Sequence, residues 1–325
     1  MIVGTDIGYY ATKATTVDKR ITFLSAVGTP EKARVGLQAQ NSIILLRPKH
    51  VQIGESAVLQ SRFLHRREDR KWIESEEWYL LFLAAMTELF EADATVKVYT
   101  GLPVAFYLAD KDFVRDRLTG DHTVQREGRE PQTITVSECL VTMQPYGTLC
   151  HKALNEDGLI TDVALATGRA GVLDIGSHTS NFFSSYKLSD VNIQTDSIQR
   201  GAWDAVRDVR AWLSDNCPDL DLRGHEVVDA ITNRSVKYYG ETVDLTEIVE
   251  ETLGDLAEDI ITTATQLWNG GASLDRIFVT GGGAILLGEY IQRAFAHSEI
   301  VSDAVFANAD GYLRFGTFLN RAGAQ

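Results

Sequence analysis

The sequence predicts an α/β protein built from two related halves. Short apolar, β-like runs alternate with amphipathic helical stretches along the chain. The opening IVGTDIGYYATKATTVDKRITFL and the midpoint AGVLDIGSHTSNFFSSYKLSDVNI share one pattern: an apolar strand, Asp-Ile-Gly, small and polar residues, then a second β-like run. Asp6 and Asp174 lie 168 residues apart, about half of the 325-residue chain. That length suits about two domains at ~150 residues each.

The elements follow in order. Ile2–Thr5 is a compact apolar strand ending in Asp6-Ile7-Gly8, and β-rich segments follow near 13–26 and 42–53. Residues 73–91 predict a long buried helix with acids in its first turn, where the helix dipole favours them. Thr95–Thr100 reads as a strand ending at Gly101-Leu102-Pro103, with a helix over about 106–118 after it. Then come β-like runs near 122–125 and 132–143 and a helix over 146–155. The second half restarts with a buried strand at 170–175, further strands at 179–187 and 190–197, and helices at 202–215 and 225–232. Apolar residues at 245, 248, 249, 253, 256, 257, 260, 264 and 267 form one stripe on a long helix over 244–267. A strand at 275–280, Gly281-Gly282-Gly283 and a helix complete this half.

Composition narrows the function classes. The chain is 44% hydrophobic and 23% charged, as soluble globular proteins are. Apolar runs such as Leu80–Met86 fall far short of the ~20 residues that span a bilayer. Met1–Asp6 carries no basic leader or cleavage-like site, so a cytoplasmic protein without membrane partners is expected. Cys139, Cys150 and Cys217 are too scattered for a disulfide framework or zinc cluster, and the histidines show no metal spacing. The net charge of −14 argues against direct binding to a nucleic-acid backbone, so a role near DNA would go through an adaptor. Glu241–Asp259 carries eight carboxylates and no Lys or Arg, which reads as the solvated face of a helix. Arg62–Lys71, with five basic and two acidic residues, reads as a solvated face or loop, or as a subunit contact.

The two Asp-x-Gly turns carry the chemistry. A turn between strands presents backbone N–H groups, and glycine lets a ligand approach closely, so such tips cradle anions. The hydroxyls of Thr12, Ser177, Thr179 and Ser180 add donors, and Lys13 supplies a cation for β- and γ-phosphates. A carboxylate facing phosphate makes sense with a divalent metal between them, and Mg²⁺ keeps its waters and uses few carboxylates. The chain has no G-x-x-x-x-G-K-[ST], and Gly281-Gly282-Gly283-Ala284-Ile285-Leu286 lacks the last glycine of G-x-G-x-x-G. The latter still reads as a strand–loop–helix whose amides suit a nucleotide.

DIGYYATK, LDIGSHTS and FVTGGGA resemble, in that order and spacing, the two phosphate motifs and the adenosine motif of the actin/Hsp70/sugar-kinase ATPase superfamily. The Gln144-Pro145-Tyr146-Gly147 junction and the terminal FANADGYLRFG segment are similar to bacterial and archaeal actin-like proteins of the ParM and Alp type. The resemblance implies a two-domain actin-like ATPase fold. Each domain is built on a ribonuclease-H-like mixed sheet flanked by helices, with a nucleotide cleft between them. Residues 1–155 with 306–325 would form one domain, on which the C-terminal helix packs back, and 156–305 the other. It implies that Asp6 and Asp174 hold Mg²⁺ through its waters. Gly8, Tyr9, Tyr10, Thr12, Lys13, Gly176, Ser177, His178, Thr179, Gly281, Gly282, Gly283 and Ala284 line the bound ATP, with GTP the alternative. Gln144 is implied to align the attacking water, for which positioning matters more than basicity. Two departures stand out. Tyr9 and Tyr10 occupy the first tip where smaller residues are usual, and His178 in the second reads as an exposed loop residue.

Three functions fit the superfamily. The first is a head-to-tail, filament-forming ATPase that segregates plasmid DNA through a DNA-binding adaptor, with hydrolysis controlling polymer stability. The second is a sugar or acid kinase, which needs a carboxylate base; Glu138 and Asp162 are the candidates. The third, a chaperone, needs a substrate-binding extension, and the chain ends at Gln325 soon after the nucleotide core.

Overall fold

The computed structural model describes residues 1–31, 43–65 and 70–323. Residue 42 of the β-rich stretch near 42–53 and residues 66–69 of the basic stretch lie outside them. The chain divides into two compact units, Met1–Val163 with Phe306–Gln325, and Ala164–Val305. No helix among the described residues is long and apolar enough to cross a membrane.

In the first unit, strand Ile2–Ile7 pairs antiparallel with Ala11–Thr15, which pairs antiparallel with Arg20–Leu24. On its other side Ile2–Ile7 runs parallel to Ala94–Leu102, and that strand parallel to Gln132–Met143. Five further strands extend the sheet to ten among the described residues. Helix Glu76–Leu89 lies in the core, with Leu80–Met86 buried along its whole girth. It is shorter than the 73–91 expected, because Ser75 caps it by accepting the Trp78 amide at 3.2 Å and a 3₁₀ turn, Trp72–Glu74, precedes it. The closing helix, Ala307–Ala322, crosses Gln144–Ala153 closely enough that a Cβ on Gly311 would sit 1.6 Å from the Gly147 carbonyl oxygen. Glycine at both positions is what permits that approach.

The second unit repeats the pattern. Arg169–Ile175 pairs antiparallel with Ser180–Tyr186, which pairs antiparallel with Asp196–Ile198. Arg169–Ile175 also runs parallel to Arg276–Thr280, and that strand parallel to Ser298–Ile300. These five pair in the same order and sense as the first five strands described for the first unit, Arg20–Leu24 through Gln132–Met143. This is the mixed α/β architecture expected of each half. The 190–197 stretch differs from the expected single strand: a 3₁₀ turn, Asn192–Gln194, separates Ser189–Asp190 from Asp196–Ile198.

Helices Ala202–Asn216, Gly224–Asn233 and Thr246–Leu267 pack Val206, Val209, Val227, Ile231, Leu253 and Ile260 into one core. Before the last of these, Ser235–Tyr238 and Glu241–Asp244 form a hairpin that the sequence reading did not anticipate. Helix Thr246–Leu267 begins two residues later than expected because Asp244 accepts both the amide (2.9 Å) and the hydroxyl (2.6 Å) of Thr246. Those bonds pull the Asp244 carboxyl below its usual range. All eight acids of Glu241–Asp259 are exposed, as a solvated face requires.

Candidate functional site

The two Asp-x-Gly turns have the same backbone construction. In the first unit the Gly8 amide donates to the Ala11 carbonyl at 3.2 Å; in the second the Gly176 amide donates to the Thr179 carbonyl at 2.8 Å. Asp6 stands opposite Lys13 in the ladder, and Asp174 opposite Asn181, seven residues on in each case. Both aspartates are buried, at 6% and 4% exposure, although each adjoins a surface turn. A Cβ on Gly8 or Gly176 would crowd the Ala11 or Thr179 carbonyl oxygen, at 3.2 and 3.0 Å.

Around Asp6 the first unit gathers two other predicted residues. Lys13 Nζ lies 3.1 Å from Asp6 Oδ2, and Gln144 Nε2 donates to Asp6 Oδ1 at 3.3 Å. Gln144 is the first residue of helix Gln144–Ala153 and follows strand Gln132–Met143 with no loop between, so the helix starts two residues earlier than expected. Pro145 suits that first turn, where its missing amide costs nothing. Tyr312 on the closing helix donates its hydroxyl to the Gln144 carbonyl at 3.1 Å and fixes the helix start.

The other predicted residues of this turn act behind it. Thr12 is fully buried, and its hydroxyl lies 2.9 Å from Ser25 Oγ, which in turn donates to the Gly8 carbonyl at 2.6 Å. Tyr9 stacks on Trp72, with ring centroids 5.5 Å apart at 26°. The Tyr10 carbonyl accepts the Ser25 amide at 2.8 Å.

In the second unit the turn leans on a helix N-terminus. The amides of Ala202 and Trp203 donate to the carbonyls of Gly176 (3.0 Å) and Ser177 (2.8 Å), so the turn satisfies donors that the helix start would otherwise leave open. His178 is not the exposed loop residue expected from sequence. It is half-buried and stacks on Trp203, with centroids 5.9 Å apart at 20°.

The glycine triplet abuts the same turn. Gly281 has φ of +84°, and a Cβ there would lie 2.5 Å from Asp174 Oδ1 and 2.4 Å from the Ile175 carbonyl oxygen. Gly283 donates its amide to that carbonyl at 2.8 Å. Gly282 is exposed, and a Cβ there would meet nothing within 4 Å. Ala284 is buried and opens helix Ala284–Ala294.

These residues suit a phosphate ligand with magnesium: glycine-lined turns and hydroxyls in each unit, and a buried hard carboxylate beside each turn. Among the described residues no three His, Cys, Asp or Glu side chains converge as a metal-binding group. One hard carboxylate beside each turn is the kind of donor taken by an ion that brings its own waters and phosphate oxygens, as magnesium does. The kinase-base candidate Glu138 instead pairs with Lys97 at 2.8 Å in an exposed ion pair. Ser25, Trp72 and Trp203 escaped the sequence reading, because each acts through a contact that no local spacing announces.

Residues 4–147 match the family model for the N-terminal domain of actin-like proteins. Residues 172–293 match the model for the C-terminal domain of the archaeal, MreB-like actin homologue. No curated protein matches the chain. Among solved structures, the archaeal actin homologue Ta0583 superposes with a TM-score of 0.82 at 20% identity, covering 100% of this chain and 99% of its own. The same protein in complex with ADP gives 0.78 at 21% identity, covering 100% and 99%. A 15-stranded ParM filament from Clostridium botulinum gives 0.83 at 22% identity, covering 97% and 98%. With actin-like family models matching both halves, the chain belongs to the actin-like proteins, and it shares its α/β fold with these solved structures.

Proposed function

We propose that this chain is a filament-forming ATPase whose Asp-x-Gly turns bind magnesium nucleotide. The observation that carries this reading is the duplicated turn: the same amide-to-carbonyl bond, with the same buried aspartate two residues before the glycine. Asp6 and Asp174 hold the waters of the metal, which neutralises charge on the β- and γ-phosphates when bound. Lys13, already 3.1 Å from Asp6, adds a cation on the same side. Gln144 presents a neutral amide that aligns the attacking water rather than taking its proton. Gly281, Gly282 and Gly283 pack against the nucleoside, with Gly282 offering open backbone. ATP is the expected nucleotide, with GTP compared in parallel.

Self-association is supported by the filament architecture of the Clostridium botulinum ParM structure. Hydrolysis then sets how long the polymer lasts. With a net charge of −14, the chain reaches DNA cargo through a DNA-binding adaptor, and plasmid segregation in the cytoplasm is the role this suits. The test is light scattering and pelleting after addition of ATP and Mg²⁺, with phosphate release followed in parallel. Wild type should polymerise and hydrolyse, and Asp174→Ala should abolish hydrolysis. A protein that stays monomeric, or an Asp174→Ala variant with near-normal turnover, would sink the proposal.

A further inference from the structure

The second turn contains a side-chain relay that the twin-turn scheme does not use. His178 Nδ1 lies 3.1 Å from Ser177 Oγ. The imidazole is held in place by its stack on Trp203, whose own amide binds the Ser177 carbonyl. The indole is seated in turn against Gly224, at the start of helix Gly224–Asn233: a Cβ there would lie 2.3 Å from Trp203 Cη2. Ring, indole and glycine thus fix where Nδ1 points. The first turn has a matching stack, Tyr9 on Trp72, but a phenol offers no ring nitrogen to a neighbouring hydroxyl.

We propose that His178 is a positioning residue for the phosphate-binding hydroxyl of Ser177, an inference that rests on the nucleotide reading above. A serine hydroxyl has one proton and two lone pairs. When Nδ1 carries hydrogen, it donates to one Oγ lone pair, and the hydroxyl proton is left to point at a phosphate oxygen. When Nδ1 is bare, it captures that proton, and Ser177 presents only lone pairs to an anion. Phosphate binding therefore selects the Nδ1–H tautomer.

Two measurements test this on the full chain. In the first, ADP and ATP with Mg²⁺ are titrated calorimetrically into wild type, His178→Asn, His178→Phe, Ser177→Ala and the Ser177→Ala/His178→Phe double variant. Asparagine places an amide N–H near the position of Nδ1, whereas phenylalanine keeps only the stack. One net hydrogen bond corresponds to about threefold to tenfold in affinity. The Phe variant should lose up to that much, the Asn variant should stay within about twofold, and Ser177→Ala should lose at least as much as the Phe variant. In the double variant the His178 change should add nothing, because it acts only through Ser177.

In the second measurement, ¹⁵N NMR of wild-type histidines should show the His178 ring protonated at Nδ1 once ADP is bound. Undiminished affinity in His178→Phe, a full His178 effect without the Ser177 hydroxyl, or a bare Nδ1 in the complex would each overturn the assignment. If His178→Phe fails to fold, Ser177→Ala and the tautomer measurement still decide. Nucleotide binding that is lost in Asp174→Ala but unchanged in every variant at 177 and 178 overturns the relay alone. Wild type that binds neither nucleotide takes down both readings.

Discussion

Substituting Gly281 by alanine strikes the point where the glycine triplet meets the second turn. Its φ of +84° lies in the left-handed region, where a Cβ costs of order 1–2 kcal/mol. The added methyl would also sit 2.4 Å from the Ile175 carbonyl oxygen and 2.5 Å from Asp174 Oδ1, about 1 Å inside ordinary contact. The backbone has little room to retreat, because the Gly281 amide donates to Ala304 at 3.2 Å and the Gly283 amide to Ile175 at 2.8 Å. Overpacking of this kind adds about 1–3 kcal/mol, giving about 2–5 kcal/mol in all. At about 3 °C per kcal/mol for a unit of this size, the melting midpoint should fall by about 6–15 °C. Nucleotide affinity should fall with it, since the Asp174 carboxylate is displaced. Gly282→Ala is the control: the new methyl meets nothing within 4 Å, so stability should hold within about 0.5 kcal/mol while nucleotide binding weakens. Scanning calorimetry with and without ADP and Mg²⁺ separates the two effects. A Gly281→Ala protein melting within about 2 °C of wild type, or a Gly282→Ala protein as unstable as Gly281→Ala, would refute the reasoning.

Gln144→Ala should slow single-turnover hydrolysis by about 10- to 100-fold while ADP affinity changes little, and its filaments should last longer in a disassembly assay. Equal loss of binding and turnover would mean that Gln144 only supports Asp6. Asp310→Ala should destabilise the first unit by about 1–2 kcal/mol in urea, because it strips the buried partner from the half-exposed Arg20 guanidinium. Burial pushes the thiols of Cys139 and Cys150 up from 9.0 to about 12. A folded value above the unfolded one means that their contribution is whole below pH 9.0 and is lost as pH rises toward 12, so urea midpoints should drop over that range. An aromatic disulfide reagent at pH 8 should label neither thiol until the chain is unfolded.

What the sequence made legible was local. A strand, an Asp-x-Gly turn and a second strand are set by period-two alternation and by glycine, all within about twenty residues. The buried helix announced itself through the Leu80–Met86 run and the acids Glu76 and Glu77, and Ser75 explains its later start. Gln144 was visible as a junction residue, but not its place at the head of a helix joined directly to a strand. The hairpin at Tyr239-Gly240 was missed because its turn uses tyrosine at φ of +49°, where Asn or Asp is the usual signal. His178 looked exposed because Trp203, which covers it, lies 25 residues away in sequence. Ser25 under Gly8, and Gly311 against Gly147, are likewise contacts of the folded chain with no periodic signature.

The duplicated turns are equal in backbone but unequal in what holds them. Behind the first, the Gly8 carbonyl rests on one side-chain hydroxyl, Ser25, itself backed by Thr12. Shifting that turn would break this hydroxyl contact, the bond from the Ser25 amide to the Tyr10 carbonyl and the stack of Tyr9 on Trp72. Behind the second, the carbonyls of Gly176 and Ser177 close off the first amides of helix Ala202–Asn216, and Trp203 of that helix carries the His178 ring. Shifting that turn reopens two helix donors and breaks an aromatic stack together, and the disturbance passes into the helices that build the second unit's core.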